Sequence, residues 1–268
     1  MRMTNQNLVN VFFCIGVLSV LLSACAPGVK KESENTLTDN SLADIKSRGK
    51  LIVGTFPALE PMVFKDTNGE ISGYDSDLAK EIASNLGVEV EFKEIAFPEL
   101  INSLSKDDID VIICAMTITP ERSEKVLFSV PYINAGQTII TRKETVDINT
   151  PVEIKNKKVG VQKDTTCEKF AKQYVDALYI VSYESFDQNA IEDLKKGKLD
   201  AIVIDYVGAV SIVKNNPELR VIDKQFTEEY YGIATKLGND ALMEEVNRIL
   251  RDMKRTGKLD EIKKKWLN

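Results

Sequence analysis

Residues 110–132, DVIICAMTITPERSEKVLFSVPY, join an apolar run to a hydroxyl-rich turn and an arginine. Thr119 is a good helix N-cap, Pro120 suits the first helical position, and Arg122 then lies in the first turn. A helix N-terminus offers unpaired backbone N–H groups, and arginine adds a planar pair of donors that matches a carboxylate. The stretch therefore indicates a site for a small anion such as a carboxylate. The alternative is a capped helix with a surface arginine, which needs no ligand.

A second candidate position is Asp205, which closes the apolar run AIVID. Open α/β sheets bind ligands at the carboxyl ends of their parallel strands, and the natural partner of a carboxylate there is an ammonium group. Alternatively, Asp205 only caps the following helix. Thr165 and Glu168, at capping-box spacing, open another predicted helix with free amides. An arginine with helix amides, together with a separate carboxylate, is what a zwitterionic α-amino acid requires.

The elements that position these residues alternate between strand and helix. Lys50–Thr55 is an apolar, β-branched run typical of a buried strand, and Asp75 is a predicted cap of a helix that stops at Gly87. Residues 158–205 repeat the alternation, which is typical of parallel α/β sheets. The roughly 228 residues from Ser41 onward allow one large domain or two lobes, and two separate α/β regions favour two lobes.

The N-terminus has the pattern of an export signal. Arg2 precedes an apolar run from Leu8 to Leu22, and no acidic residue comes before Cys25. The run is shorter than the roughly 20 residues that span a bilayer. Its ending, Leu-Ser-Ala-Cys, resembles a lipobox, so residues 1–24 are predicted to be a lipoprotein signal peptide and Cys25 the acylated mature N-terminus. An ordinary cleaved secretory signal is the alternative.

Residues 25–40 are rich in Ser, Asn, Thr, Lys and Glu and contain few large apolar side chains. Such a segment cannot bury enough apolar surface to offset the entropy of ordering it. We therefore expect a flexible tether between the lipid anchor and the folded part of the chain.

Composition excludes several classes of function. Without residues 1–24 the chain has 34 Lys and Arg against 41 Asp and Glu, a net charge of −7, which disfavours nucleic-acid binding. The absence of histidine excludes Ser-His-Asp and Cys-His catalysis and removes the commonest metal ligand. Cys114 and Cys167 have no metal-like spacing, so we expect free thiols, no metal and no cofactor. A disulfide between them is the alternative, and it would link two lobes that need to move.

Eight motifs in order carry a family resemblance. They are GKLIVGT, GYDSDL, MTITPER, FSVPY, KVGVQ, LDAIVID, YYGIA and GKLDEIKKKWL, and they span about residues 49–267. The chain resembles the amino-acid-binding group, family 3, of bacterial extracellular solute-binding proteins, which feed ABC importers. The resemblance implies an α/β, two-lobed periplasmic-binding-protein-like fold of type II with two hinge crossovers. Lobe 1 would hold residues 41–134 plus 231–268, and lobe 2 residues 135–230.

The resemblance also implies a role for individual residues. Arg122 would bind the α-carboxylate of the ligand, aided by the backbone amides of Thr117 and Thr166. Asp205 would bind the α-amino group, assisted by the Thr117 hydroxyl and the Ala115 carbonyl. The ligand would therefore be a free L-amino acid enclosed between the lobes.

Four further positions bear on the ligand side chain. Tyr74 occupies the position of an aromatic that lines the pocket, although it could equally be a lobe-core tyrosine. Phe56 and Leu59 stand where relatives selective for basic or amide side chains often have an acidic residue and a stacking aromatic. Glu60 and Gln137, the latter at the hinge, could still meet a polar group. A cationic ligand is thus disfavoured but not excluded, and a polar amino acid is favoured.

These observations predict a monomeric, lipid-anchored receptor that captures a free amino acid, closes by hinge motion and delivers it to an ABC permease. It would lie on the outer face of the cytoplasmic membrane or in a periplasm. The first alternative is an enzyme of the cyclohexadienyl dehydratase type, with Asp205 or Glu60 as the proton-transfer group. The second is a sensory module that presents the ligand to a receptor.

Overall fold

A computed structural model describes residues 39–186, 188–222 and 225–267. The predicted signal peptide at 1–24, the lipidation site Cys25 and residues 25–38 of the predicted tether lie outside the described residues. Within the described part, no helix is both long and apolar enough to cross a bilayer.

Helices and strands alternate along most of the described chain. The helices are α1 Ser41–Arg48, α2 Tyr74–Leu86, α3 Leu100–Ser105, α4 Pro120–Ser123, α5 Thr166–Ala171, α6 Gln188–Lys195, α7 Tyr206–Asn215, α8 Asp240–Thr256 and α9 Lys258–Trp266. The strands are β1 Lys50–Thr55, β2 Ala58–Leu59, β3 Val63–Lys65, β4 Ile71–Ser72, β5 Glu89–Glu94, β6 Val111–Ile112, β7 Val126–Phe128, β8 Ile133–Asn134, β9 Gln137–Arg142, β10 Val159–Gln162, β11 Ile180–Tyr183, β12 Ala201–Asp205, β13 Leu219–Val221, β14 Tyr230–Tyr231 and β15 Ala234–Lys236.

The first lobe is built on a sheet with strand order β5-β1-β6-β15-β7. β1 is parallel to β5 and β6, while β15 runs antiparallel to β6 and β7. The apolar faces of α2 and α8 bury Leu78, Ile82, Leu242 and Val246 in the core of this lobe. The two side chains of each pair are four positions apart, so they lie on the same face of their helix, and that face covers the sheet.

The second lobe is built on a sheet with strand order β11-β10-β12-β9-β13. β10 is parallel to β11 and β12, whereas β9 runs antiparallel to β12 and β13. Val159, Val161, Ala201 and Val203 carry its core. The predicted parallel pattern therefore holds for the strands linked by helices. Each sheet also contains one antiparallel strand that follows a crossing from the other lobe, which is β15 in the first lobe and β9 in the second.

Two neighbouring segments carry the chain between the lobes. β8 follows the first sheet and precedes β9, while β14 follows β13 and precedes β15, and β8 and β14 pair antiparallel. Gly136 has φ 42°, and a Cβ there would lie 2.6 Å from the Thr227 carbonyl oxygen on the other crossing segment. Only glycine fits at this close approach. The predicted two-lobed α/β fold with two crossovers is confirmed, and the residue limits of each lobe stay a prediction.

Candidate functional site

The turn after β6 holds the Arg122 guanidinium in place. The Thr119 hydroxyl accepts a hydrogen bond from the Arg122 N–H at 3.2 Å, and Pro120 begins α4, as the sequence predicted. The Arg122 side chain turns back and donates from Nη1 to the Thr117 carbonyl at 2.8 Å. The guanidinium is therefore fixed beside the turn rather than extended into solvent.

An aromatic ring packs against the Arg122 guanidinium and partly shields it from water, which strengthens its interaction with an anion. The Arg122 Cζ lies 5.3 Å from the centre of the Phe97 ring. Burial lowers the pKa of the Arg122 guanidinium, while the negative charges of Asp205 and Glu229 act in the opposite direction. A cation partly removed from water interacts more strongly with an incoming carboxylate than a surface cation does.

A buried carboxylate on another element holds the backbone at Ala115. Ala115 has φ 45°, which is uncommon for a residue with a Cβ, and its N–H donates to the Asp75 carboxylate at 2.5 Å. Asp75 lies in the first turn of α2, and Gly73 occupies the N-cap position, so the predicted capping role of Asp75 is wrong. Burial raises the pKa of the Asp75 carboxyl to about 7. Its function in the fold is to hold the Ala115–Thr117 turn.

Asp205 ends β12 in a buried position and is already hydrogen-bonded. The Tyr231 hydroxyl donates to its Oδ2 at 2.5 Å, and the Cys167 thiol donates to its Oδ1 at 3.4 Å. Although Asp205 precedes α7, its side chain makes no capping hydrogen bond to that helix. Burial raises the pKa of Asp205 to about 6, partly offset by the Tyr231 hydrogen bond. The carboxylate thus faces the cleft instead of serving its own helix.

The start of α5 supplies the amides of the second lobe. The Thr165 hydroxyl accepts from the Glu168 N–H at 3.4 Å, and Thr166 is the first helical residue. The predicted capping box is not completed, because the Glu168 carboxylate accepts instead from the Asp164 N–H at 2.9 Å. The helix start nevertheless lies where the sequence placed it.

A narrow cleft with a cavity volume of about 40 Å³ collects most of the predicted ligand residues. The predicted residues on its lining are Phe56, Leu59, Ala115, Thr117, Arg122, Thr166 and Asp205. They come from both lobes, and the lobes also contact each other at the rim through an ion pair between Glu121 and Lys169.

Two predicted ligand residues do not line the cleft. Tyr74 is fully buried in the core of the first lobe, where its ring stacks on Tyr132 with centroids 5.9 Å apart. The predicted pocket role is wrong, because the first residue of α2 turns its side chain inward. Gln137 is also fully buried, and it pairs with Asp205 in the β9–β12 register. Opposed residues of an antiparallel pair share a sheet face, so the Gln137 amide lies at the Asp205 end of the site.

The lining contains side chains that the sequence did not single out. Phe97, Phe186 and Ile204 add apolar surface, and Cys114 and Cys167 both reach the cleft. Cys167 follows Thr166 directly, so its position could have been read from the same motif. Phe186 carries no local signal, because only the packing of the second lobe turns it toward the cleft.

The two thiols of the cleft are poorly suited to nucleophilic chemistry. Cys114 and Cys167 are free thiols, as predicted, and burial raises the pKa of both well above the ordinary value. Protonated thiols are poor nucleophiles. The described residues contain no group of three or more His, Cys, Asp or Glu side chains that could hold a metal ion. Arg122 and Asp205 place a cation and an anion on the lining of the same cleft.

Comparisons with known proteins agree with this arrangement. The family model described as bacterial extracellular solute-binding proteins, family 3, matches residues 51–268. The L-cystine-binding protein TcyJ of Escherichia coli (strain K12) is 33% identical over 254 residues, covering 94% of this chain and 93% of that protein.

Two solved structures extend the comparison. An ancestral arginine-binding protein bound to arginine is 42% identical with a TM-score of 0.78, covering 82% of this chain and 99% of the other. The ancestral amino-acid-binding protein AncCDT-1, a precursor of cyclohexadienyl dehydratase, is 37% identical with a TM-score of 0.79, covering 85% and 100%.

Proposed function

This chain belongs to the bacterial extracellular solute-binding proteins, family 3, and we propose that it captures a free α-amino acid between its lobes for delivery to an ABC importer. The named relatives include proteins that bind cystine and arginine. Arg122 would bind the α-carboxylate together with the amides of Thr117 and Thr166. Asp205 would bind the α-ammonium group together with the Ala115 carbonyl.

The observation that carries the proposal is the pairing of Arg122 and Asp205 on one cleft. Arg122 is fixed by a turn of the first lobe, and Asp205 ends a strand of the second. A ligand that carries both charges contacts both lobes at once, so it stabilises the state in which the lobes meet. A ligand with only one charge would leave the opposite protein charge unpaired.

Calorimetry with matched ligands tests this directly. We expect an L-amino acid to bind, whereas the amine without the carboxylate and the carboxylic acid without the amino group bind at least ~100-fold more weakly, since each loses a buried ion pair. Measuring all three at one pH and ionic strength makes the comparison like for like. Equal affinity for the amino acid and either analogue would contradict the proposal.

We further propose that the mature chain is a monomer held at the membrane through an acylated Cys25. The sequence pattern around Cys25 and the polar residues after it support this arrangement. Mass spectrometry of the N-terminal peptide from the membrane fraction should show a lipid-modified Cys25. A Cys25→Ser variant should appear in the soluble extracytoplasmic fraction, and membrane retention of that variant would contradict the anchor.

An enzymatic role has one supporting observation, the likeness to AncCDT-1, whose own description is an amino-acid-binding protein. In the present cleft Asp205 already accepts hydrogen bonds from Tyr231 and Cys167. These contacts suit an anion that holds an ammonium group. Incubation with prephenate or arogenate should therefore give no product, and product formation that is lost in Asp205→Asn would favour the enzyme.

A further inference from the structure

One part of the cleft lining, called the apolar end below, consists of apolar side chains from both lobes. Phe56 packs on one core cluster of the first lobe, while Leu59, Phe186 and Ile204 pack together on a core cluster of the second. All four also line the cleft. A ligand side chain that extends from the α-carbon into this end would be enclosed between two apolar walls.

The charge balance of the lining leaves no partner for a third ligand charge. Among the described residues that line the cleft, the charged side chains are Arg122 and Asp205, which the α-carboxylate and the α-ammonium group would pair. Glu60 is exposed and lines two neighbouring grooves instead. A charged ligand side chain would lose its water and gain no opposite charge, which is strongly unfavourable in an enclosed site.

Three polar groups on the lining are already hydrogen-bonded within the protein. The Thr165 hydroxyl donates to the Gln162 carbonyl at 2.7 Å, and the Gln162 amide donates to the Glu184 carbonyl at 3.3 Å. The Cys114 sulfur accepts from the Phe56 N–H at 3.1 Å. A polar ligand side chain would have to break these three contacts to use the groups that make them.

The polar amino acid favoured by the sequence rested on Glu60 and Gln137. Glu60 lies outside this cleft, and Gln137 is fully buried opposite Asp205, at the charged end. Glu60 borders the apolar end only through the groove that it lines together with Leu59 and Phe186, and it is not part of the cleft lining.

We propose that this cleft selects an α-amino acid with an uncharged, apolar side chain, such as methionine, leucine or phenylalanine. The inference rests on the proposed function, because it assumes that Arg122 and Asp205 hold the α-carboxylate and the α-ammonium group. It sets this chain apart from the arginine-binding and cystine-binding relatives, whose ligands carry additional charges at the end of the side chain.

The first experiment is a calorimetric panel on the wild-type protein. We expect L-methionine, L-leucine or L-phenylalanine to bind at least ~30-fold more tightly than L-arginine, L-lysine, L-glutamate or L-cystine, because the latter bring an unpaired charge into the apolar end. Tightest binding of a charged amino acid would overturn the inference and leave the proposed function intact. Binding of no amino acid at millimolar concentration would overturn both.

The second experiment places an acid at the apolar end. Phe56→Asp should weaken L-methionine binding at least ~10-fold and strengthen L-arginine binding at least ~10-fold, because the new carboxylate pairs with the guanidinium. Val146→Asp is the matched control: Val146 is 78% exposed, lies outside the cleft lining and adds the same charge. Circular dichroism checks that both variants fold.

If Phe56→Asp unfolds, the wild-type panel alone decides the inference. If it folds and the ratio of the two affinities does not change, the apolar end does not contact the ligand side chain, and the proposal is wrong. A change of similar size in Val146→Asp would assign the effect to overall charge and would also contradict it.

Discussion

The two ends of the cleft differ in how they are built. At the charged end, Arg122 and Asp205 are each held by hydrogen bonds to other groups, through the Thr117 carbonyl, the Tyr231 hydroxyl and the Cys167 thiol. At the apolar end, side chains are positioned by packing on lobe cores. In the proposed function, the charged end would recognise what every α-amino acid has in common, and the apolar end would distinguish one side chain from another. Hydrogen bonds need fixed partners, whereas apolar packing tolerates changes of shape.

The largest expected effect of a single change is at Arg122. Arg122→Ala should weaken amino-acid binding by about 3–5 kcal/mol, roughly a thousandfold, because the ligand carboxylate is left without its counter-charge in the enclosed cleft. Arg122→Lys should recover part of the loss, since the charge returns without the planar pair of donors. Calorimetry on both, with the exposed Arg251→Ala as control, measures this. If Arg122→Ala keeps nearly wild-type affinity, Arg122 does not bind the ligand carboxylate, and the charged end is not the part of the cleft that all amino acids share.

Replacing Asp205 should weaken ligand binding but stabilise the unliganded protein. Asp205→Asn should weaken binding by about 3 kcal/mol, because a neutral amide replaces the partner of the ammonium group. The same change should raise the melting temperature of the unliganded protein at pH 7.5, since the buried carboxylate has its pKa raised to about 6 and is costly to ionise. Calorimetry and thermal melts, with the exposed Asp260→Asn as control, test both. Loss of stability together with unchanged binding would show that Asp205 is structural.

The pH dependence of binding follows from the same carboxyl group. Above about pH 6 Asp205 is ionised in the free protein, and below it the group takes up a proton that the ligand ammonium must displace. Affinity for a neutral amino acid should therefore fall about tenfold per pH unit below pH 6. The other groups that face Asp205 are Glu229, Tyr231, Cys167 and Arg122.

Calorimetry from pH 5 to pH 8 measures this dependence. In Asp205→Asn the decrease in affinity below pH 6 should disappear. The stability of the free protein should decrease as pH rises from about 4 to about 6, since the folded pKa lies above the unfolded one. An affinity that stays constant down to pH 5 would mean that the ammonium group is held elsewhere.

A smaller effect is expected where the apolar end meets the opposite lobe. Gly208 lies in α7, and a Cβ there would come within 2.5 Å of the Leu59 Cδ1. Gly208→Ala should change the stability of the free protein by less than about 1 kcal/mol, because the gain in helix propensity is offset by the cost of moving the Leu59 side chain. It should weaken ligand binding about fivefold, because the added methyl group hinders the approach of Leu59.

A double-mutant cycle isolates this contact. Leu59→Ala in the Gly208→Ala background should recover affinity relative to the value expected if the two losses simply added. Calorimetry of the wild type, both single variants and the double variant gives the coupling free energy between Leu59 and Gly208 in ligand binding. Additive losses would mean that Leu59 and Gly208 do not limit closure of the apolar end.

Local patterns in the sequence predicted the charged end well. The cap at Thr119, the helix start at Pro120 and the strand that ends in Asp205 are all present, because each depends on neighbours within a few residues. Such features follow from backbone hydrogen bonding and strand periodicity. Asp75 shows the limit, since its partner is the Ala115 N–H, 40 residues away, and no local pattern distinguishes that contact from a helix cap.

Tyr74 and Gln137 show where the local pattern left the position of a side chain open. Tyr74, for which a core role was the alternative, packs in the core of the first lobe, and Gln137 is buried opposite Asp205. Conversely, Phe186 reaches the cleft although its surroundings in sequence gave no sign of it. The direction of a side chain near a lobe boundary depends on contacts between distant elements.

By itself, the sequence determined the family, the two α/β regions and the pair of opposite charges that an amino acid needs, because these depend on residue type and local spacing. The tertiary structure decided which residues share the cleft. It brought Arg122 and Asp205, 83 positions apart in the chain, to one enclosed space and placed Phe56, Leu59, Phe186 and Ile204 at its other end. Such a site forms only when two separately packed sheets meet, so its apolar character is a property of the assembled lobes.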